Sequence, residues 1–278
     1  MKRDIKLIVT DLDGTFLDDE KNIPQINIDA VRACKEAGIH ICPASARNWP
    51  SLEDIAQEAG MTEYCLICNG VAILDAATQE VQYRNRVAPQ AVEPLARIAM
   101  KYGSRVQVMG THRMIAMSSM VKHGPHMHGG KVVRMRGRRM LHQVDTFEEF
   151  IEAAKDDCNV LFVWLDHKDH LPMYTEMCEV GDFELSAADE DHVYVMARDA
   201  TKGKACEILA GLYGIRPDQV MAFGDGKNDI PMLRWAGIGV AMENAMEQTK
   251  DAADYVTCTN NEGGVGKAIF RLIFGEER

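Results

Sequence analysis

The chain alternates between short apolar runs that stop at Asp, Ser or Gly and longer segments whose apolar positions recur every three or four residues. Ile5 to Thr10, Ile39 to Ala44, Tyr64 to Cys68, Val220 to Phe223 and Ile238 to Met242 are runs of the first kind. They are short enough for strands and apolar enough to be covered on both faces. Between them lie helical patterns: Pro24 to Ala37 closed by Gly38, Pro50 to Ala59, Gly203 to Tyr213, Asn228 to Trp235 and Val265 to Phe274. Proline suits a first helical turn and glycine an end, as here at Pro50 and Gly38. Val71 to Asp75 with Glu80 to Arg84 reads as a hairpin, and Tyr255-Val256 as a last short strand. Strands alternating with helices of about ten residues predict an α/β class, a parallel sheet with helices on both faces.

The middle of the chain has a different rhythm. Three helical patterns, Pro89 to Tyr102, Thr146 to Lys155 and Asp169 to Cys178, are interleaved with alternating strands. Those strands are Arg105 to Met109, Met114 to Met117, Val132 to Arg136, Val160 to Leu165 and Phe183 to Ala187. This fits a separate α+β unit. The chain thus divides into a discontinuous core, 1–84 and 194–278, and an insert, 85–193, whose two ends both return to the core as those of a lid would. No repeat of fixed period is visible.

At 278 residues the chain can bury a sizeable core, as one large domain or two modest ones. Its formal net charge of −11 argues against a protein that coats nucleic acid, and says little about small ligands. Met1-Lys2-Arg3 precedes an apolar run that ends at Asp11, too short for a signal sequence or a membrane span. A cytoplasmic protein with neither nucleic-acid nor membrane partner is the expectation. The eight cysteines form no disulfide framework. Cys34, Cys42, Cys158 and Cys206 sit in apolar patterns and read as small core residues. Cys65 and Cys68 make a C-x-x-C, but on a strand residues three apart face opposite sides, so both read as structural. Most of the 17 methionines read as core filler.

Charge separates the insert from the rest. No acid lies between Glu93 and Asp145, a stretch that carries Arg97, Lys101, Arg105, Arg113, Lys122, Lys131, Arg134, Arg136, Arg138 and Arg139. Arg134, Arg136 and Arg138 recur at period two, which puts them on one face of a strand. Either this surface draws an anionic substrate toward the acidic half, or it is a solvated face that docks on that half. His123, His126 and His128 cluster in H-G-P-H-M-H-G-G. With no cysteine or carboxylate nearby they read as a surface loop, substrate contact being the functional alternative.

Candidate chemistry lies where apolar runs end. Asp11 and Asp13 follow the first strand directly, and Asp225 and Asp229 follow Val220 to Phe223 in Gly224-Asp225-Gly226-Lys227-Asn228-Asp229. Each acid alone would serve as a plain helix N-cap. Two such clusters, each after a buried strand, instead suit one Mg²⁺, which prefers oxygen ligands and keeps waters that a substrate can replace. Carboxyl ends of parallel strands are also where open α/β sheets gather their ligands.

These motifs resemble a known family. D-L-D-G-T and G-D-G-x-N-D are similar to the first and last motifs of the haloacid dehalogenase-like phosphatases. C-P-A-S-A-R around Ser45 and T-K-G-K-A around Lys202 match the second and third. Order and spacing resemble the Cof-type subfamily with a large α/β cap (type IIB), from about residue 5 to about residue 273. Ser45-Ala46-Arg47 stands where relatives often carry T-G-R, keeping the hydroxyl and losing the glycine.

The resemblance implies a Rossmann-like core with an inserted cap and an Mg²⁺-dependent phosphatase working through an aspartyl-phosphate. It makes Asp11 nucleophile and metal ligand. Asp13 becomes general acid and base, and lends its backbone carbonyl to the metal. Asp225 would be a metal ligand, with Asp229 a direct or water-mediated partner. Ser45 and Lys202 would hold phosphoryl oxygens, and Asn228 would orient the phosphate or Lys202. Ala46, Arg47 and Asn69 lie at neighbouring strand ends as further substrate contacts. Asn244 resembles a family position without an assigned role. Lys202 stands at a helix start, where a cation opposes the helix dipole and makes sense if an anion binds there. The partner implied is a small phosphorylated metabolite, a sugar phosphate or nucleotide-like cofactor. A phosphomutase of the same fold and a ligand-sensing protein that kept the site are the alternatives. Dehalogenation is disfavoured, because its nucleophilic acid needs no metal cluster.

Overall fold

The structure is a computed structural model, and it describes residues 4–121, 127–128, 131–132, 141–165, 170–189 and 192–278. Strand β1 (Leu7–Thr10) is buried at every position, so it lies in the middle of a sheet covered on both sides. Its neighbours are β2 (His40–Pro43) on one edge and, far along the chain, β14 (Val220–Gly224) on the other. β15 (Ile238–Ala241) and β16 (Tyr255–Val256) complete a five-stranded parallel sheet in the order β16-β15-β14-β1-β2. Helices α1 (Gln25–Glu36), α2 (Trp49–Ala59) and α8 (Gly264–Ile269) bury their apolar stripes on one face of it. Helices α6 (Lys202–Tyr213) and α7 (Ile230–Trp235) cover the other. The predicted α/β core is therefore present.

One strand departs from the predicted pattern. Among the described residues, β3 (Tyr64–Ile67) bridges to the parallel sheet only between Ala44 and Leu66. Its main pairing is antiparallel with β4 (Ala72–Asp75), which pairs in turn with β5 (Val81–Arg84). The hairpin offers β3 a full ladder, whereas beside β2 it has the single bridge at Ala44. Cys68 is not on the strand, as the C-x-x-C reading has it, but opens the turn that follows.

The insert builds a sheet of its own. β6 (Arg105–Met109), β7 (Met114–Met117), β10 (Leu141–Val144), β11 (Val160–Trp164), β12 (Phe183–Asp189) and β13 (His192–Ala197) lie in the order β10-β7-β6-β11-β13-β12. The short pair β8 (Met127–His128) and β9 (Lys131–Val132) stands apart. One face of the larger sheet, with Val106, Val108, Leu161, Val163, Val193 and Val195, packs on α3 (Pro89–Lys101), α4 (Phe147–Ala154) and α5 (Leu171–Val180). α4 starts at Thr146, whose hydroxyl accepts from the Glu149 amide while the Glu149 carboxylate returns the bond, a capping box legible in T-F-E-E. β10 and β13 go beyond the predicted strands, and β13 carries the second sheet past position 194, where the sequence has the chain back in the core. The base of this sheet, Val160 and Met196, joins the apolar cluster of the core.

Arg134, Arg136, Arg138 and Arg139, with Lys122, His123 and His126, lie outside the described residues, and nothing is described of the His128 and Lys131 side chains. Of the remaining basic residues of the insert, Arg97 pairs with Glu93 and lies 4.4 Å over the Phe147 ring, and Lys101 pairs with Glu176. Arg105 lies 5.4 Å over Trp164. Those three are thus engaged within the insert itself. No helix among the described residues is long and apolar enough to cross a membrane.

Candidate active site

β1 and β14 run parallel and end side by side, where the Asp11 amide donates to the Phe223 carbonyl at 3.0 Å. That pairing brings Asp11 beside Asp225, 214 positions away in the chain. A carboxylate oxygen from each of Asp11, Asp225 and Asp229 lies within 4.8 Å of the others. Local chemistry aims each acid. The Thr15 hydroxyl donates to Asp225 Oδ1 at 2.6 Å. Asp229 Oδ2 accepts from the amides of Asp225 and Gly226, at 3.0 and 2.9 Å. Gly14, at φ +89°, turns the chain beneath Asp225, and a Cβ there would stand 2.5 Å from Asp225 Oδ2.

Lys202 opens α6 and is fully buried, with Nζ 2.5 Å from Asp11 Oδ1 and 2.7 Å from Asp229 Oδ1. Thr201 caps the helix by accepting from the Lys204 amide at 3.1 Å. Burial alone would lower the lysine pKa, but Asp11 and Asp229 raise it above its ordinary value and fix the ammonium. For Asp11, burial and then the neighbouring Asp229 and Asp225 outweigh Lys202 and push the carboxyl pKa up. Burial raises Asp225 as well. Among the described residues, three carboxyl groups face a single ammonium there. These are hard oxygen donors in a cradle that is short of positive charge, so the residues fit Mg²⁺.

Asp13 stands outside that trio. Its carboxylate accepts from Arg47 Nε and a second guanidinium nitrogen at 2.8 and 2.9 Å, and Lys21 Nζ lies 2.9 Å away. Burial works to raise its pKa, but Arg47 and Lys21 hold it well below the usual carboxylate range. Arg47 is buried, and also donates to the Ser51 carbonyl at 2.9 Å.

Hydrogen bonds tie the remaining candidates to one another or to the turn after Asp13. Ser45 is buried, and its Oγ accepts from the Arg47 amide at 3.3 Å across Ala46. The Asn69 amide donates to the Ser45 carbonyl at 2.9 Å. Asn228 Nδ2 donates to Asn69 Oδ1 at 2.9 Å, so it reaches Asn69 while Lys202 binds the two carboxylates. Asn244 Nδ2 holds the Gly14 carbonyl at 2.8 Å, which ties it to the turn after Asp13. Sequence reasoning did not find Thr15 or Lys21. The threonine of D-L-D-G-T was a usable signal for the first. Lys21 had none, since a turn at φ +68° carries it back to Asp13.

A family model described as haloacid dehalogenase-like hydrolase matches residues 8–269. The chain is 28% identical over 269 residues, 96% of it and 95% of the relative, to the 5-amino-6-(5-phospho-D-ribitylamino)uracil phosphatase YcsE of Bacillus subtilis (strain 168). A haloacid dehalogenase-like hydrolase from Bacteroides thetaiotaomicron superposes with a TM-score of 0.82 at 26% identity, covering 96% of this chain and 99% of that one. The subclass IIB sugar phosphatase BT4131 superposes with a TM-score of 0.74 at 25% identity, covering 97% and 99%. With nearly its whole length matched and the acidic cluster at the ends of β1 and β14, the chain belongs to the haloacid dehalogenase-like hydrolases.

Proposed function

We propose that this hydrolase is an Mg²⁺-dependent phosphatase that cleaves a small phosphorylated metabolite through an aspartyl-phosphate on Asp11. The observation that carries the reading is the buried Lys202 between Asp11 and Asp229, beside a trio of carboxylates short of positive charge. Asp11, Asp225 and the Asp13 carbonyl would hold the ion, with Asp229 direct or through water. An ion held there would neutralise the carboxylates and polarise a phosphoryl oxygen.

The chain's own groups do the rest. The Asp11 carboxylate is the nucleophile toward phosphorus, and the ester oxygen leaves. Lys202 and the Ser45 hydroxyl bind the equatorial oxygens as charge spreads over them. Asp13 gives a proton to the departing oxygen and then takes one from the water that hydrolyses the acyl phosphate. To act as the acid, Asp13 must exchange its pair with Arg47 and Lys21 for the leaving oxygen, and an incoming phosphate is a competing partner for both cations.

The named relatives act on a ribitylaminouracil phosphate and on sugar phosphates, which supports a sugar phosphate or nucleotide-like substrate. All eight cysteines are free thiols, in keeping with a cytoplasmic setting. A panel of phosphorylated metabolites with Mg²⁺ tests the reading through release of inorganic phosphate. EDTA should silence the protein and Mg²⁺ restore it, and Asp11→Asn should be inactive though folded. Asp13→Asn should accumulate a phosphate adduct that mass spectrometry places on Asp11. Full activity without metal, or an adduct on another residue, would sink the scheme. Conversion to an isomer without phosphate release would identify a mutase.

A further inference from the structure

Cys68, Asn69 and Gly70 follow one another at φ +53°, +61° and +87°, three consecutive left-handed residues. Glycine adopts that conformation freely and asparagine tolerates it, but a cysteine there is unusual. Such a corner persists only where its surroundings leave it no alternative. On the site side the Cys68 amide donates to the Arg47 carbonyl at 2.8 Å and the Asn69 amide to Ser45. A Cβ on Gly70 would come within 2.8 Å of the Lys202 amide nitrogen, so the corner is pressed against the start of α6.

The other side of the corner is held from the insert. Asn159, at the root of β11, is fully buried and sends Nδ2 to Cys68 Sγ at 3.5 Å. The same nitrogen donates to Thr111 Oγ1 at 3.1 Å, and Oδ1 accepts from Arg84 Nε at 2.8 Å. Arg84 pairs with Asp157, which also accepts from the Thr111 amide at 3.2 Å. β5, the β6–β7 turn and β11 therefore meet at one carboxamide that needs both its donor and its acceptor. Asp would lack the donor, and Leu would lack both. Burial pushes the Cys68 thiol up to about 12, so its sulfur remains neutral in this contact.

We propose that Asn159 is a positioning residue for the reaction: from the insert it fixes the Cys68-Asn69-Gly70 corner, and through it the Asn69–Asn228 pair and the Ser45 loop beside the phosphate. The catalytic meaning of this rests on the phosphatase reading, whereas the mechanical link does not. Hydrolysis of p-nitrophenyl phosphate with Mg²⁺ is measured for Asn159→Leu, Cys68→Ala, Cys68→Ser and the Asn159→Leu/Cys68→Ala double variant. Amide exchange of Asn69 and Gly70 is followed in parallel. Asn159→Leu and Cys68→Ala should each lower kcat about tenfold with KM nearly unchanged, because placement is lost and not affinity. Cys68→Ser, which keeps an acceptor, should stay within about twofold of the parent. The double variant should be no worse than the weaker single one, since both break the same contact. Exchange at Asn69 and Gly70 should quicken about tenfold in the impaired variants. Parental kcat and exchange in Cys68→Ala, or fully additive losses in the double variant, would overturn the proposal. If Asn159→Leu does not fold, the Cys68 pair decides alone. If the parent cleaves no ester, the phosphatase reading fails by itself, and the exchange rates still decide whether Asn159 holds the corner.

Discussion

Lys202 is closed off from solvent between two carboxylates, so removing its charge strands both of them in the interior. Breaking a buried ion pair from one side costs about 3–5 kcal/mol. Lys202→Met should accordingly lower Tm by many degrees in metal-free buffer, with Mg²⁺ restoring part of the loss. Its kcat should fall by about 10²–10³, the scale for deleting a group that binds developing charge. Thermal unfolding with and without Mg²⁺, beside phosphate release, checks both. A variant as stable and active as the parent would show that Lys202 only fills space. Asp13 has a different signature. Its folded pKa is depressed, so its contribution to stability is present above the ordinary carboxylate value of about 3.9 and is lost as pH falls below it. Asp13→Asn should therefore be less stable than the parent at pH 7, and the gap in urea midpoints should close below about pH 4. A gap that widens in acid would contradict the pairing with Arg47 and Lys21.

At the scale of elements, the site depends on how closely α6 approaches α7. A Cβ on Gly203 would stand 2.7 Å from the carbonyl carbon of Pro231 and 2.8 Å from its oxygen, so any side chain there must push the two helices apart. Gly203 follows Lys202 directly, and the displacement would carry the ammonium away from Asp11. Alanine is the better helix former by about 1 kcal/mol, so propensity alone predicts a more stable protein. Gly203→Ala should instead lower Tm and reduce kcat at least about tenfold. Calorimetry and phosphate release distinguish the two outcomes, and a stabilised, active variant would show that the contact yields. The helices and strands themselves are legible in the sequence because their apolar periods are long and well punctuated, as α2 shows between Pro50 and Gly60. The pairing of β3 is not, because an apolar run of four residues fits parallel and antiparallel neighbours equally.

For the whole molecule, the main electrostatic fact is a stretch without acids from 94 to 144 inside a chain of net charge −11. Arg97 and Lys101 are partly neutralised by Glu93 and Glu176, so attraction for an anionic substrate would fall to the remaining cations. Neutralising Arg134, Arg136 and Arg138 together should raise KM for a highly anionic substrate more than for a compact ester, with kcat little changed. Added salt should imitate the effect, since exposed charges are screened over about 8–10 Å near physiological ionic strength. An unaltered KM and salt dependence in the triple variant would leave the patch a solvated face.

The sequence by itself determined the α/β class, the inserted unit and the candidate acids, because each is written in local pattern: buried runs that end in Asp, glycines at the turns and helical stripes between them. Distance along the chain hid the rest. The diversion of Asp13 depends on Arg47 folding over it, and the hold on Cys68 on a carboxamide 91 residues away. These contacts arise between segments whose own sequences carry no mark of each other. Only packing decides which buried polar group finds which partner, since leaving one unsatisfied in the interior costs free energy.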